Sequence, residues 1–424
     1  MATLNVTTAT TIDANIPEYW ATKVIRDAVQ KAFWSRFEGP EGSSGKPIIR
    51  KDDPLKKAGD AVHFTTLANL YGDGVTGANT LAGSEQVFDI DSFSLSVDWV
   101  RNAVAYNARA EGRALMDLAK WAGTLLSDWF ARKTDFDLFT QITSTDSPTT
   151  LYANAATSEA TLDYSLGTTF GVNEIERIVL ELESMGAEPV SMIRDNGEEF
   201  YSYGIVISEF DAYHLRNDSL WWKMNAEAGV RGQKNPLFKG AIGEIFGATI
   251  YVLRGVRGLQ GTPLRPETKI YSTHNNSTTT ILVGSGSDDG NNYTKNFADT
   301  GEISVVNSSG ATEFMTYTSK TAYSFTVTGR GETYGSTTSS ASAYTGNERV
   351  TQGHYLSKQV GFGSNIAIRS FAKAMHRIEQ KEDYGFEIGI GVAAIYGQKA
   401  LLDSNDAVKN CVLMKSCSKP PEAS

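Results

Sequence analysis

The chain has 424 residues, 41% of them hydrophobic and 21% charged, with 49 Asp and Glu against 39 Lys and Arg for a net charge of −10. Such a length calls for two or three domains, and such a composition excludes a wholly disordered chain. No apolar run approaches the roughly 20 residues that cross a bilayer, and the acidic balance argues against a dedicated nucleic-acid binder, which carries a basic face.

Met1–Ala14 is Thr-rich and reads as a flexible polar arm. It has neither a basic nor an apolar leader region, so no signal peptide is expected. Pro17 then opens a helical pattern through Trp20, Val24, Ala28 and Phe33, which Gly39 and Pro40 should stop. Residues 41–60 form a loop whose Arg50, Lys51, Lys56 and Lys57 read as a solvated basic cluster. Two β-like runs follow, 61–67 and 86–106, separated by the Gly-rich stretch Tyr71–Ser84. They predict a long hairpin with a broad tip. In the second run neither parity is wholly apolar, so the strand should touch protein on both faces.

Residues 113–142 carry the clearest helical pattern, with Leu115, Leu118, Ala122, Leu125, Trp129, Phe136 and Phe139 on one stripe. Such a helix would be about 45 Å long and act as a beam. A polar loop, 143–169, leads to a second amphipathic helix over 173–185, closed by Gly186. A buried strand is expected at 204–208, a short helix at 211–216 and a strand at 248–253. From 258 to 348 the chain becomes rich in Thr, Ser, Gly and Asn, with short β-like runs at 280–283, 303–306, 313–318 and 324–328. This predicts a small inserted all-β module whose core holds Ile281, Val283, Ile303, Val305, Phe314, Met315, Phe325 and Val327. Mixed α/β character is expected again over 360–402.

Signals for catalysis are weak. Gly72, Gly74 and Gly77 spell GxGxxG, but no helix opens after them, and a hairpin tip fits the context better than a dinucleotide site. His63, His214, His274, His354 and His376 show no metal-ligand spacing. Asp288, Asp289, Asn291 and Asn292 around Gly290 read as a polar turn without the bidentate Glu of a calcium loop. There is no GxSxG elbow and no GxxxxGK[ST] loop. Cys411 and Cys417 fit a reducing compartment, with no disulfide expected. Trp221 and Trp222 could make a sugar platform, but core or subunit packing is the commoner use of such a pair. No catalytic residue, cofactor or metal is expected.

The order of features resembles the HK97-like major capsid fold of tailed double-stranded DNA bacteriophages, in the branch found in podoviruses that carry a virion RNA polymerase. The stretch that carries most of the likeness is Arg231–Val252, with Asn235-Pro236-Leu237-Phe238, Gly240, Gly243 and Gly247. The Gly72–Gly83 tip, Asp128-Trp129-Phe130 with Asp135, and Asp383-Tyr384-Gly385-Phe386 followed by Gly397 and Lys399 also match. Ile16-Pro17-Glu18-Tyr19-Trp20 matches as well. The likeness covers most of 12–257 and 353–412, while 258–348 departs from the compact members.

The resemblance implies an α+β fold with an N-terminal arm (1–45), an extended loop hairpin (46–106), a peripheral domain with a spine helix (107–170), and an axial domain with peripheral strands (171–257). The inserted β domain (258–348) and a return with a C-terminal tail (349–424) complete it. It implies a non-enzymatic shell subunit, assembled in the bacterial cytoplasm and residing in the virion. Its partners would be copies of itself in pentamers and hexamers, a scaffolding protein, a portal and a cementing protein, around double-stranded DNA held without sequence-specific binding and with no membrane. Subunit-contact candidates are Trp20, Phe33, Tyr71, Gly72, Gly74, Gly77, Trp221 and Trp222. A competing reading, drawn from 258–348, is a tail-associated or receptor-binding β-rich virion protein.

Overall fold

The computed structural model describes residues 6–7, 33–40, 42–43, 45–51, 61–67, 74–77, 80, 82, 85, 90–114, 117–144, 149–193, 199–228, 244–253, 261–334, 337–402 and 407–420. The chain divides into two compact units. One comprises Met1–Ile25, Ile49–Trp129 and Ala367–Leu401, and the other Arg26–Ile48, Phe130–Ile366 and Leu402–Ser424.

The first unit is built on a sheet in the order Val6–Thr7, Asp98–Asn107, Glu387–Ala400, Ala367–Glu382, Ile48–Arg50. Ala367–Glu382 and Glu387–Ala400 form a long antiparallel hairpin, turned at Asp383–Gly385. Alternation sends Tyr106, Ile388, Ile390 and Val392 to one face, where they pack with Leu118, Ala119, Ala122, Leu126 and Trp129. Those five residues lie on helix α2. A short helix, α1 (Ala108–Arg113), precedes it, and Asn107 caps α1 by accepting the Ala110 N–H at 2.7 Å. Helix α2 runs Leu118–Ser144, with the Asp117 carboxylate accepting the Lys120 N–H at its start. The expected single helix over 113–142 is therefore interrupted before Leu118.

Its expected single stripe also divides. Ala122 and Leu126 are buried in the first unit, and Leu138, Phe139 and Ile142 in the second, whereas Leu125 is 49% exposed. Each half serves a different core, so no single face runs the length of the helix.

The expected strand over 86–106 is two strands with different partners. Ile90–Ser96 pairs with Ala61–Leu67 as an antiparallel hairpin, with Phe93 opposite Phe64. After Val97 the chain joins the main sheet, where Asp98–Asn107 pairs with Glu387–Ala400. Two successive environments account for the absence of one apolar parity. The hairpin is rooted by a small cluster of Phe64, Leu95, Ile368 and Leu401.

In the second unit a mixed sheet runs Glu244–Ile245, Ala248–Leu253, Glu199–Ser208, Leu356–Phe362, Cys411–Cys417, Thr150–Tyr152, with Val190–Ile193 paired to Glu199–Ser208. Helix α3 (Val172–Ser184) lays Ile175, Ile178 and Leu182 on it, against Ile205, Ile207, Ile250, Val412 and Met414. Gly361 makes that seating possible, because a Cβ there would lie 2.2 Å from Ile178 Cγ2. Ser208 and Asp211 form a capping box that opens helix α4 (Glu209–Asn217), and α5 (Ser219–Ala228) follows. Ala212, Leu215 and Trp221 join the same core.

The segment expected to be inserted (258–348), together with the strand Arg349–Gln352 that follows it, forms a seven-stranded antiparallel sheet in the order Gly261–Thr262, Arg265–Lys269, Arg349–Gln352, Gly301–Val306, Thr312–Thr321, Ser324–Arg330, Thr280–Leu282. The eight residues expected in its core are all buried. Its first and last long strands are neighbours, with Glu267 opposite Thr351.

Two further expectations change. Residues 360–402 are strands rather than mixed α/β, because their apolar residues follow a period of two (Ile388, Ile390, Val392). Of the helix expected to run to Phe37, the described residues show a single 3₁₀ turn, Trp34–Phe37, and the strand Glu38–Pro40 absorbs Gly39 and Pro40. Residues 8–32 lie outside the described residues.

Candidate subunit-contact surfaces

Trp20, Tyr71 and Gly72 lie outside the described residues. Gly74 and Gly77 are exposed with φ of +70° and +72°, and a Cβ on either would meet nothing within 4 Å. Their backbone, not crowding, is what favours glycine there.

Phe33 is buried at 5% exposure, with Trp34, Phe37, Phe139 and Tyr251 around it and Phe362 against Trp34 and Phe37. The Arg36 guanidinium lies 4.6 Å from the Phe33 ring centre and 5.0 Å from that of Tyr251. The Asp135 carboxylate accepts the backbone N–H groups of Phe33 and Trp34. Phe33 thus sits in an aromatic anchor within the segment expected to be the N-terminal arm (1–45). Sequence reasoning missed most of this anchor. The aromatic density of Phe33-Trp34 and Phe37 was its visible signal, whereas Tyr251 and Phe362 come from distant strands.

The adjacent tryptophans separate. Trp221 is 7% exposed in the core beside α3, whereas Trp222 is 64% exposed. Leu220 and Met224, also on α5, and Tyr213 on α4 are likewise exposed large hydrophobics.

The first unit carries its own exposed apolar surface. Strand register places Trp99 opposite Ile395, Arg101 opposite Ala393 and Ala103 opposite Gly391. Lys373, His376 and Ile378 continue these rows on the next strand. These positions alternate with the residues that meet α2 and so point to the other side of the sheet. Trp99 and Ile378 are exposed there, with Lys373 Nζ 5.9 Å from the Trp99 ring centre.

Among the described residues no group of three His, Cys, Asp or Glu residues is placed to hold a metal ion. The Asp289 carboxylate accepts the Tyr293 hydroxyl at 2.6 Å and the Asn291 N–H at 3.0 Å, as a polar turn does. Among the described helices none is long and apolar enough to cross a membrane.

Comparison with known proteins gives this arrangement a class. A model of the phage capsid protein family matches residues 8–161. The capsid of Ralstonia phage GP4 is similar at 20% identity with a TM-score of 0.61, over 96% of this chain and 97% of that one. The Cyanophage Pam1 capsid is similar at 14% identity and a TM-score of 0.61, over 99% of both chains. The head structure of Helicobacter pylori bacteriophage KHP40 gives 13% identity and 0.62, over 96% and 97%. The chain therefore has the HK97-like fold of phage capsid proteins. A major capsid protein of Pseudomonas phage KPP25 is 24% identical over 280 residues, 57% of this chain and 72% of that protein. Family match, relative and fold together support a major capsid protein of a phage head, a component of the virion.

Proposed function

We propose that the chain builds the icosahedral shell of a phage head by self-assembly into pentamers and hexamers around double-stranded DNA. The observation that carries this reading is the fold itself, which leaves large apolar side chains exposed on both units: Trp99 and Ile378 on one, Trp222 and Leu220 on the other. A protein whose working state is assembled buries such surfaces against copies of itself. The hairpin Ala61–Leu67/Ile90–Ser96, rooted by only a small cluster, supports the same reading. Two strands alone are marginal, and draping over a neighbour would supply what they lack.

Within this reading the protein is a structural subunit and not an enzyme. It is assembled in the host cytoplasm with a scaffolding protein and a portal, and a cementing protein joins the finished shell. Its net charge of −10 fits a container wall that encloses DNA without binding its sequence. The podovirus branch with a virion RNA polymerase rests on the sequence motifs around Pro236-Leu237-Phe238 and Asp383-Tyr384-Gly385-Phe386.

The test is assembly of the full chain, expressed alone and with a scaffolding protein, followed by electron microscopy and sedimentation. Shells, tubes or capsomers are expected. Removing Tyr71–Ser84 should leave the circular dichroism spectrum intact and abolish closed shells. A wild-type chain that stays monomeric at every concentration would overturn the proposal.

A further inference from the structure

The hairpin of Ala367–Glu382 and Glu387–Ala400 ends in an exposed aromatic tip. Tyr384 is fully exposed and Phe386 is 45% exposed. Asp383, Tyr384 and Gly385 hold φ of +47°, +53° and +90° in succession. Non-glycine residues in the left-handed region are costly, and such strain collects where a protein engages a ligand or partner. The tip is also acidic. Neither Asp383 nor Glu387 has an ion-pair partner among the described residues.

The opposite charge lies further along the same hairpin, on the sheet face turned away from α2. Arg101 and Lys373 are exposed there, and neither has an ion-pair partner among the described residues. The central strand contributes only Ala393 and Gly391 between Trp99 and Arg101 on one side and His376 and Ile378 on the other. The Trp99 and His376 rings stand 6.5 Å apart at one end, and Ile378 is 43% exposed beyond them. The flanking strands are about 10 Å apart, two interstrand spacings. This makes a shallow slot with aromatic, aliphatic and cationic walls and a floor without large side chains. Glycine within a strand often marks such a place of close approach.

A tip cannot reach its own slot. Ala393 lies six residues from Glu387, about 20 Å along the strand. The occupant therefore comes from another chain, and the charges match a second copy of this one. Resting on the reading that the chain assembles into a shell, we propose that the Asp383–Phe386 tip of one copy docks in the slot of the next. Tyr384 enters between Trp99 and Ile378, and Asp383 and Glu387 face Arg101 and Lys373. The contact is heterologous, since tip and slot are different surfaces, and such contacts run head to tail and can close into rings. Tyr384 supplies the apolar anchor, and the charges fix orientation.

The experiment measures, by sedimentation, the concentration at which the full chain assembles, with circular dichroism as the check on folding. Tyr384→Ala and the charge reversals Arg101→Glu/Lys373→Glu and Asp383→Lys/Glu387→Lys should each keep the wild-type spectrum and raise that concentration at least about tenfold. Combining the two reversals restores the attraction and should return it to within about threefold of wild type. If a reversal misfolds, a cysteine pair decides. In assembled Tyr384→Cys/Ile378→Cys, oxidation by copper phenanthroline should link chains into ladders longer than dimers, and neither single variant should link. Reversals that leave the wild-type threshold unchanged, or a combination no better than its parents, would overturn the contact while the shell reading stands. Linking by Tyr384→Cys alone would show tips meeting tips and would overturn it too. A wild-type chain that never assembles would overturn both.

Discussion

Asp135 accepts the backbone N–H of Trp34 at 3.2 Å across a separation of 101 residues. The same carboxylate takes the Phe33 N–H, and Asp135 is itself only 7% exposed. A polar residue in the middle of α2 thus satisfies two buried donors at the aromatic anchor. Replacing it with Ala would strand both donors, at about 1–3 kcal/mol for each buried group left unpaired. Asp135→Ala should lower stability by about 2–4 kcal/mol, and Asp135→Asn, which retains an acceptor, by roughly half as much. Denaturant midpoints of the two variants check this. Equal and negligible losses would show that the anchor holds without the carboxylate.

The neighbouring tryptophans should behave oppositely. Trp221→Ala removes a large side chain from the core beside α3, and should cost about 3–5 kcal/mol of stability. Trp222→Ser alters a side chain that is 64% exposed and should shift stability by less than about 0.5 kcal/mol. If Trp222 is a subunit contact, its loss should instead raise the concentration at which shells form, by roughly thirtyfold for a contact worth about 2 kcal/mol. Light scattering across a concentration series measures this. A Trp222→Ser chain that assembles at the wild-type concentration would remove that residue from the interface.

Much of this was legible because it is local. Helix α3 announced itself through Ile175, Ile178 and Leu182 at helical spacing, and the seven-stranded sheet through short β runs between turns. What was hidden depends on partners. Alternation over 86–106 shows which residues share a face, but not that the partner changes at Val97. The stripe along α2 gave no sign that its halves enter different cores. Asp135 stood out only as part of a family motif, with no role legible, because its partners are a hundred residues away. Adjacency singled out Trp221 and Trp222 without ranking them, since neighbours on a helix point in different directions.

Stability should fall on mild acidification. Burial lowers the pKa of His214, His274 and His354 below the ordinary 6.5. Around His354, burial outweighs the attraction of Asp163, 2.9 Å away, and Lys419 adds to the lowering. Around His274, Arg330 lowers and Glu348 raises. Beside His214, the Lys419 carbonyl and Asp211 favour protonation without reversing the burial effect. A histidine that resists protonation when folded but accepts it when unfolded gives stability that is full above about 6.5 and is lost as pH falls toward the folded pKa. The melting temperature should be level from about pH 7 to 8 and drop between about 6.5 and 5. Asp137 and Glu348, with lowered carboxyl pKa values, should extend the loss below about pH 4.5. His354→Gln should flatten the first drop. A melting temperature that rises from pH 7 to 5.5 would contradict this account.

Both thiols should be silent in the folded protein. Cys411 and Cys417 are free and buried, and burial pushes each thiol up to about 12. Because the thiolate is the reactive form, neither should label at neutral pH. They begin and end one strand, so their Cα atoms are about 20 Å apart, far beyond the roughly 7 Å limit for a disulfide. Titration with a thiol reagent should find none accessible in native protein and two in denaturant. Rapid labelling of either in folded shells would show that the strand opens.

The seven-stranded sheet should face outward and yield to protease at its turns. Its core is continuous, with Ile281, Ile303, Met315, Phe325 and Val350 buried together, so it should resist cleavage within strands. Its root is tied to the rest of the second unit. Arg265 pairs with Glu209 at 3.1 Å, and the Tyr334 hydroxyl donates to the Glu159 carbonyl at 2.8 Å. Exposed segments remain at 287–292 and 308–311, where the first has Asp288 and Asp289 and no basic residue. Such turns suit solvent better than DNA phosphates, and loop tips are the preferred sites of nicking. A broad-specificity protease applied to intact particles should cut at these turns, and the fragments should stay together because the sheet pairs across the breaks. Antibodies raised against 284–292 should bind intact heads. If both segments are protected until the shells are broken open, the sheet lies inside the head or within a contact between subunits.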